Sequence, residues 1–91
     1  MAQTPDGREL FEAEIIAADG PCHAGHKVGD KLTLSCWDTG GLCGFFYHDI
    51  FPGLTMMQFG GAYPWDTPGQ TQVRCPDKGV NLTMVIRKQG A

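Results

Sequence analysis

Apolar and polar residues alternate between Glu9 and Ala18, with Phe11, Ala13, Ile15 and Ala17 on one side and Glu12, Glu14 and Ile16 on the other. That period of two predicts a half-buried strand. Helix is the competing reading, because Phe11, Ile15 and Ala18 also fit a helical stripe and Glu and Ala are good helix formers. Leu32, Leu34 and Cys36 alternate with Thr33 and Ser35 in a second, shorter strand whose inward face carries Cys36. Between the two, residues 19–30 contain three glycines, a proline and two aspartates, which forbid regular structure and put a tight turn at Gly29-Asp30.

Beyond the breaker Asp38-Thr39-Gly40-Gly41 the period changes. Leu42, Phe46 and Ile50 recur at i, i+4 and i+8 and predict a helix from Leu42 to Ile50, with Cys43 in its first turn. Pro52-Gly53 is expected to end or kink it, leaving Leu54 to Phe59 to add a further turn or two. Residues 60–69 are irregular but hold Tyr63 and Trp65, which are expected to fold back over the core. Last comes a hairpin with Thr71, Val73 and Cys75 inward, a turn at Pro76-Asp77-Lys78-Gly79, and Val80, Leu82, Met84 and Ile86 inward on the return. The predicted architecture is α+β: a small antiparallel sheet or partly open barrel in ββαββ order, with one central helix and the aromatic loop packed on it.

A chain of 91 residues is one small domain, with residues 1–8 expected to form a flexible tail. With 42% hydrophobic and 19% charged residues it can fold, but Gly 13 and Pro 6 commit much of it to turns, so the core is thin and calls for a staple. The formal charge is −3, and the basic residues never cluster beyond a pair, which argues against nucleic acid as a partner. No apolar run approaches the ~20 residues of a membrane span, and Met1 to Gly7 lacks the basic and apolar regions of a signal peptide. The expected location is therefore cytoplasmic, where thiols stay reduced. There, four cysteines read as metal or cluster ligands, or as buried fillers, rather than as disulfides.

Cys22, Cys43 and Cys75 sit beside glycine or proline at loop or element ends, where ligands have the freedom to converge, although no C-x-x-C pair joins them. At a helix start, Cys43 would also face unpaired N–H groups that favour a thiolate. The competing reading is burial, since free cysteines are among the most buried residues. That reading is preferred for Cys36, which is kept only as an additional ligand. His26, four positions after Cys22, has a workable spacing for a fourth ligand, and hydrogen bonding to its own loop is the alternative. His48-Asp49 are neighbours on a helix and do not face each other. No phosphate loop, HExxH motif or nucleophile elbow is present.

Taken together, Gly20-Pro21-Cys22-His23-Ala24-Gly25-His26-Lys27-Val28-Gly29-Asp30, Gly41-Leu42-Cys43, Phe59-Gly60-Gly61-Ala62-Tyr63-Pro64-Trp65 and Arg74-Cys75-Pro76-Asp77 resemble a family of roughly 90-residue proteins of unknown function, mainly from anaerobic bacteria and archaea. The resemblance covers residues 10–88. It implies cysteines at Cys22, Cys43 and Cys75 and a histidine at His26, and leaves Cys36 and His23 outside the pattern. It implies no activity.

Three functions follow as expectations. In the first, three thiolates hold an iron–sulfur cluster, of the 4Fe–4S type with the fourth iron left to Cys36, His26 or an outside ligand, or else hold zinc with His26. In the second, the chain is a non-catalytic interaction module or small subunit whose cysteines are merely buried, docking on a protein partner or a second copy of itself through Tyr63 and Trp65. In the third, Cys43 is a reactive thiol.

Overall fold

Strand β1 (Phe11–Ala17) forms where the alternation is strictest, and the helical alternative for this stretch falls away. Phe11, Ala13 and Ile15 are fully buried, while Glu12 and Glu14 face the outer side. The expected pattern breaks at the end of the strand. The pairing with β4 (Thr83–Lys88) shifts register between Ile15 and Ala17, so Ile16 is the extra residue of a bulge. Ile16 is 43% exposed and Ala17 is exposed as well, not inward as the alternation implied.

The computed structural model describes residues 2–89, so Met1 and the last two residues of the chain lie outside the described region. With β2 (Lys31–Leu34) and β3 (Gln70–Arg74), the strands form one antiparallel sheet in the order β2-β1-β4-β3, and among the described residues one helix, α1 (Gly44–Gln58), completes an α+β fold. The sheet is open, with β2 and β3 as its edges. Ahead of β1, Thr4 is tied down by a hydrogen bond between its hydroxyl and that of Ser35.

Strand β2 stops at Leu34, two residues before the expected Cys36. The Ser35 N–H turns to donate to the Asp38 carbonyl at 2.8 Å, and the Ser35 hydroxyl accepts from the Trp37 N–H at 3.1 Å. Cys36 therefore lies in a side-chain-stabilised turn and not on a strand face. Gly40 closes this turn with φ +63°, and any Cβ there would collide with the Thr33 carbonyl, so both the conformation and the space demand glycine.

Helix α1 runs through Pro52 without ending. The reason is the buried stripe Phe46, Ile50, Leu54 and Met57, which continues past the proline. A proline in a helix costs about 3 kcal/mol. Burying Leu54 and Met57 gains about 1.5–3 kcal/mol each, and that offsets the cost. Leu42 is buried but precedes the helix, whose N-cap is Cys43. Gly53 leaves room for Tyr63, whose hydroxyl lies where a Cβ would stand. Tyr63 in turn stacks on Trp65 with ring centroids 4.9 Å apart, and Trp65 stays 75% exposed.

The terminal hairpin pairs Thr71 with Ile86 and Val73 with Met84. Thr71, Val80, Leu82, Met84 and Ile86 are buried as the alternation predicts. Val73 is only half-buried. Its loop is longer than a four-residue turn, because the Asp77 carbonyl accepts from both Val80 and Asn81 N–H groups. β4 consequently begins at Thr83 rather than Val80.

Candidate metal centre

Three separate parts of the chain end at one place, and hydrogen bonds between them explain why. The loop after β1 is stitched to the terminal hairpin by the Asp19 N–H donating to the Val80 carbonyl at 2.7 Å and by the Asn81 amide donating to Asp19 Oδ2 at 2.9 Å. Gly20 passes so close to Gly79 that a Cβ would stand 3.2 Å from its carbonyl oxygen. The same loop is fixed to the start of α1 by the Cys43 N–H, which donates to His26 Nε2 at 3.2 Å.

Around that junction lies an open pocket of about 320 Å³ lined by Cys22, Cys43 and Cys75, together with His23, Ala24, Phe45, Asp77 and Val80. Cys22 opens a β-turn in which the Gly25 N–H donates to its carbonyl at 3.0 Å. Cys43 is the N-cap of α1, and its sulfur accepts from the Phe46 N–H at 3.5 Å. Cys75 follows β3 directly, anchored by its N–H to the Leu82 carbonyl at 2.8 Å. All four cysteines are free thiols.

Burial pushes the Cys75 thiol up, and the nearby charges of Cys43, Asp77 and Cys22 push the same way, against a hydrogen bond from the Asp77 backbone. The Cys75 thiol therefore resists ionisation, and a cation beside it would remove that opposition. Among the described residues, however, no group of three or more His, Cys, Asp or Glu side chains is gathered so as to hold a single metal ion. Zinc requires every thiolate sulfur about 2.3 Å from one centre. A cluster gives each cysteine its own iron and so accepts sulfurs set apart around a wider space.

His26 lies outside the pocket lining, and its Nε2 lone pair is engaged by the Cys43 N–H and so cannot also bind a metal. It positions the helix start that carries Cys43. His23 is the histidine that reaches the pocket, and Asp77 joins it. Their signal in the sequence was adjacency, one residue after Cys22 and two after Cys75. Tyr63 and Trp65 do not line the pocket.

Cys36 also takes no part in the pocket. Its N–H donates to Gln58 Oε1 at 3.1 Å, and Gln58 Nε2 donates to the Glu9 carbonyl at 2.9 Å. Burial pushes the Cys36 thiol up, and it also pushes up the Tyr47 phenol, which donates to the Ser35 carbonyl at 2.6 Å. Both groups are held neutral by folding. Their contribution to stability is complete below the ordinary values of 9.0 and 10.0 and is lost as pH rises through the raised ones. Metal-free protein should therefore show a thermal midpoint that falls at alkaline pH. Tyr47→Phe should lose about 1 kcal/mol at neutral pH and flatten the alkaline fall; equal slopes for the two proteins would refute this account.

Among the described residues, no helix is long and apolar enough to cross a membrane. No protein-family model matches the chain, and neither a curated protein nor a solved structure matches it, so the chemistry of this pocket is defined by its own residues.

Proposed function

We propose that this chain is a small cytoplasmic protein that holds an iron–sulfur cluster through Cys22, Cys43 and Cys75, in the role of a redox or accessory subunit. The observation that carries the reading is the shared lining of one pocket by three thiols drawn from a loop, a helix cap and a hairpin. All three also pack against the hydrophobic core, so each sulfur has one side on the core and lines the open space with the other. The sulfur-facing N–H of Phe46 and the backbone hydrogen bond from Asp77 are the kind of donors that stabilise thiolate and cluster sulfur. When bound, the cluster would supply one-electron transfer or a Lewis-acidic iron. Cys22, Cys43 and Cys75 would hold it, with Phe45, Ala24 and Val80 lining the same pocket.

Protein purified or reconstituted without oxygen should be brown, with stoichiometric iron and acid-labile sulfide. It should melt higher than the metal-free form, because the centre ties three elements together. Colourless protein carrying zinc, or protein that takes up neither metal, would overturn the reading.

A second reading has its own support in Trp65, whose ring is 75% exposed and stacked on Tyr63. Such a ring is a preferred anchor for a protein partner or a second copy. Metal-free protein that self-associates, and becomes monomeric on Trp65→Ala, would put this interaction role in place of the first.

A further inference from the structure

We infer that the free edge of β3 pairs with β3 of a second copy of this chain, joining two four-stranded sheets across a two-fold axis at Gln72. The ladder between β3 and β4 fixes which backbone groups are free. The Lys88 N–H donates to the Gly69 carbonyl at 2.8 Å, the Cys75 N–H donates to the Leu82 carbonyl at 2.8 Å, and the residues between keep one register. In an antiparallel ladder the direction of the backbone groups alternates along the strand. Thr71 and Val73 therefore bond to β4, whereas Gln70, Gln72 and Arg74 point their N–H and C=O groups away from it. The Gln70 N–H turns back to the Thr67 carbonyl at 3.0 Å, and the N–H groups of Gln72 and Arg74 have no partner among the described residues.

The opposite edge is closed by its own chain. On β2 a Cβ at Gly40 would collide with the Thr33 carbonyl, and the Ser35 N–H donates to Asp38. The edge of β3 has no such cover, and its sequence is symmetric about Gln72. Pro68 and Pro76, which have no N–H, lie equally far before and after it, with Gln70 and Arg74 halfway out on either side. Antiparallel pairing through that point sets Gln72 against the partner's Gln72, each N–H donating to the other's carbonyl, and sends the Arg74 N–H to the carbonyl of the partner's Gln70. Each proline then faces a proline, where no N–H is needed. Gln70, Gln72 and Arg74 are all exposed, and each guanidinium stands beside an amide, so no like charges meet. Val73, left half-buried at this edge, stands opposite the partner's Thr71 and gains cover. Such a contact is isologous and closes at two copies. A few backbone hydrogen bonds make a small interface, so the dimer forms at high protein concentration.

The inference does not depend on a metal, and the test uses the whole metal-free chain. Sedimentation over a concentration series reaching the millimolar range should approach twice the monomer mass. Amide exchange followed residue by residue should slow at Gln72 and Arg74 as the dimer forms, by the reciprocal of the monomer fraction, because neither group is bonded in the monomer. Gln72→Pro removes an N–H that β4 does not use, and Gln72→Lys keeps the N–H but sets two ammonium groups against each other across the axis. Both variants should stay monomeric, and Gln72→Lys, which adds no backbone constraint, decides the matter if the proline variant fails to fold. Thr33→Lys on the other edge and Trp65→Ala should dimerise like the parent. Wild-type protein that stays monomeric throughout, a dimer that survives Gln72→Lys, or one abolished by Trp65→Ala overturns the inference.

Discussion

On the proposed cluster reading, Cys75→Ser should abolish uptake of iron and sulfide while leaving the apo fold nearly intact. Serine keeps the size of the side chain, and the bond that fixes the residue is made by its backbone N–H to the Leu82 carbonyl, which the substitution does not touch. What is lost is a sulfur on a pocket that has only three. Loss of even an outer-shell partner of a metal ligand lowers affinity by about 10–100-fold. Removing a thiolate should exceed that, and Cys22→Ser and Cys43→Ser should behave alike, with the serine hydroxyl able to keep the helix cap at position 43. Cys36→Ala is the control, because Cys36 lies outside the pocket. Iron and sulfide content measured after desalting decides the matter. Equal losses from Cys36→Ala and Cys75→Ser would mean that burial, not ligation, explains the cysteines.

Phe46→Ala should be the most destabilising single change in the helix. Phe46 is fully buried, and truncating such a phenylalanine costs about 3–5 kcal/mol through lost transfer energy and the cavity left behind. A domain of this size has on the order of 5–10 kcal/mol in total. At about 4–8 °C per kcal/mol, the thermal midpoint should fall by tens of degrees. The adjacent Phe45, 63% exposed, supplies the comparison, and Phe45→Ala should stay within about 0.5 kcal/mol of the parent. Thermal melts of the two metal-free variants separate the cases, and similar midpoints would show that the buried stripe of α1 does not hold the domain together. The Phe46 N–H bonded to Cys43 sulfur survives the substitution, so any loss of metal by Phe46→Ala reports unfolding and not a missing donor.

Much of this architecture was legible from periodicity. Burial of Phe11, Ala13 and Ile15, and of Met84 and Ile86, follows from alternation, because each strand side chain's face is fixed by its parity, whereas Val80 and Leu82 are buried from the loop before β4. The differences have two causes, distant pairing or packing and a local turn. Ile16 and Ala17 turn outward at a bulge created by pairing with β4, a strand far away in the chain. Cys36 leaves the strand because the hydroxyl and backbone of Ser35 prefer a turn. Pro52 stays within α1 because the helix has a core to bury beyond it, a gain that no local propensity contains.

Residue type and neighbourhood singled out Cys22, Cys43 and Cys75, since cysteine beside glycine or proline at an element end combines a soft donor with a backbone free to present it, and the fold lines one pocket with all three. The histidine was another matter. His23 and His26 differ by three positions in one loop, and their side chains meet different surroundings only once that loop is fastened to the hairpin through Asp19 and to the helix through Cys43. The linear chain therefore carried the donors and the alternation that forms the sheet. Which side chains share a pocket was decided by long-range hydrogen bonds and packing, because those contacts join residues whose separation along the chain leaves no local trace.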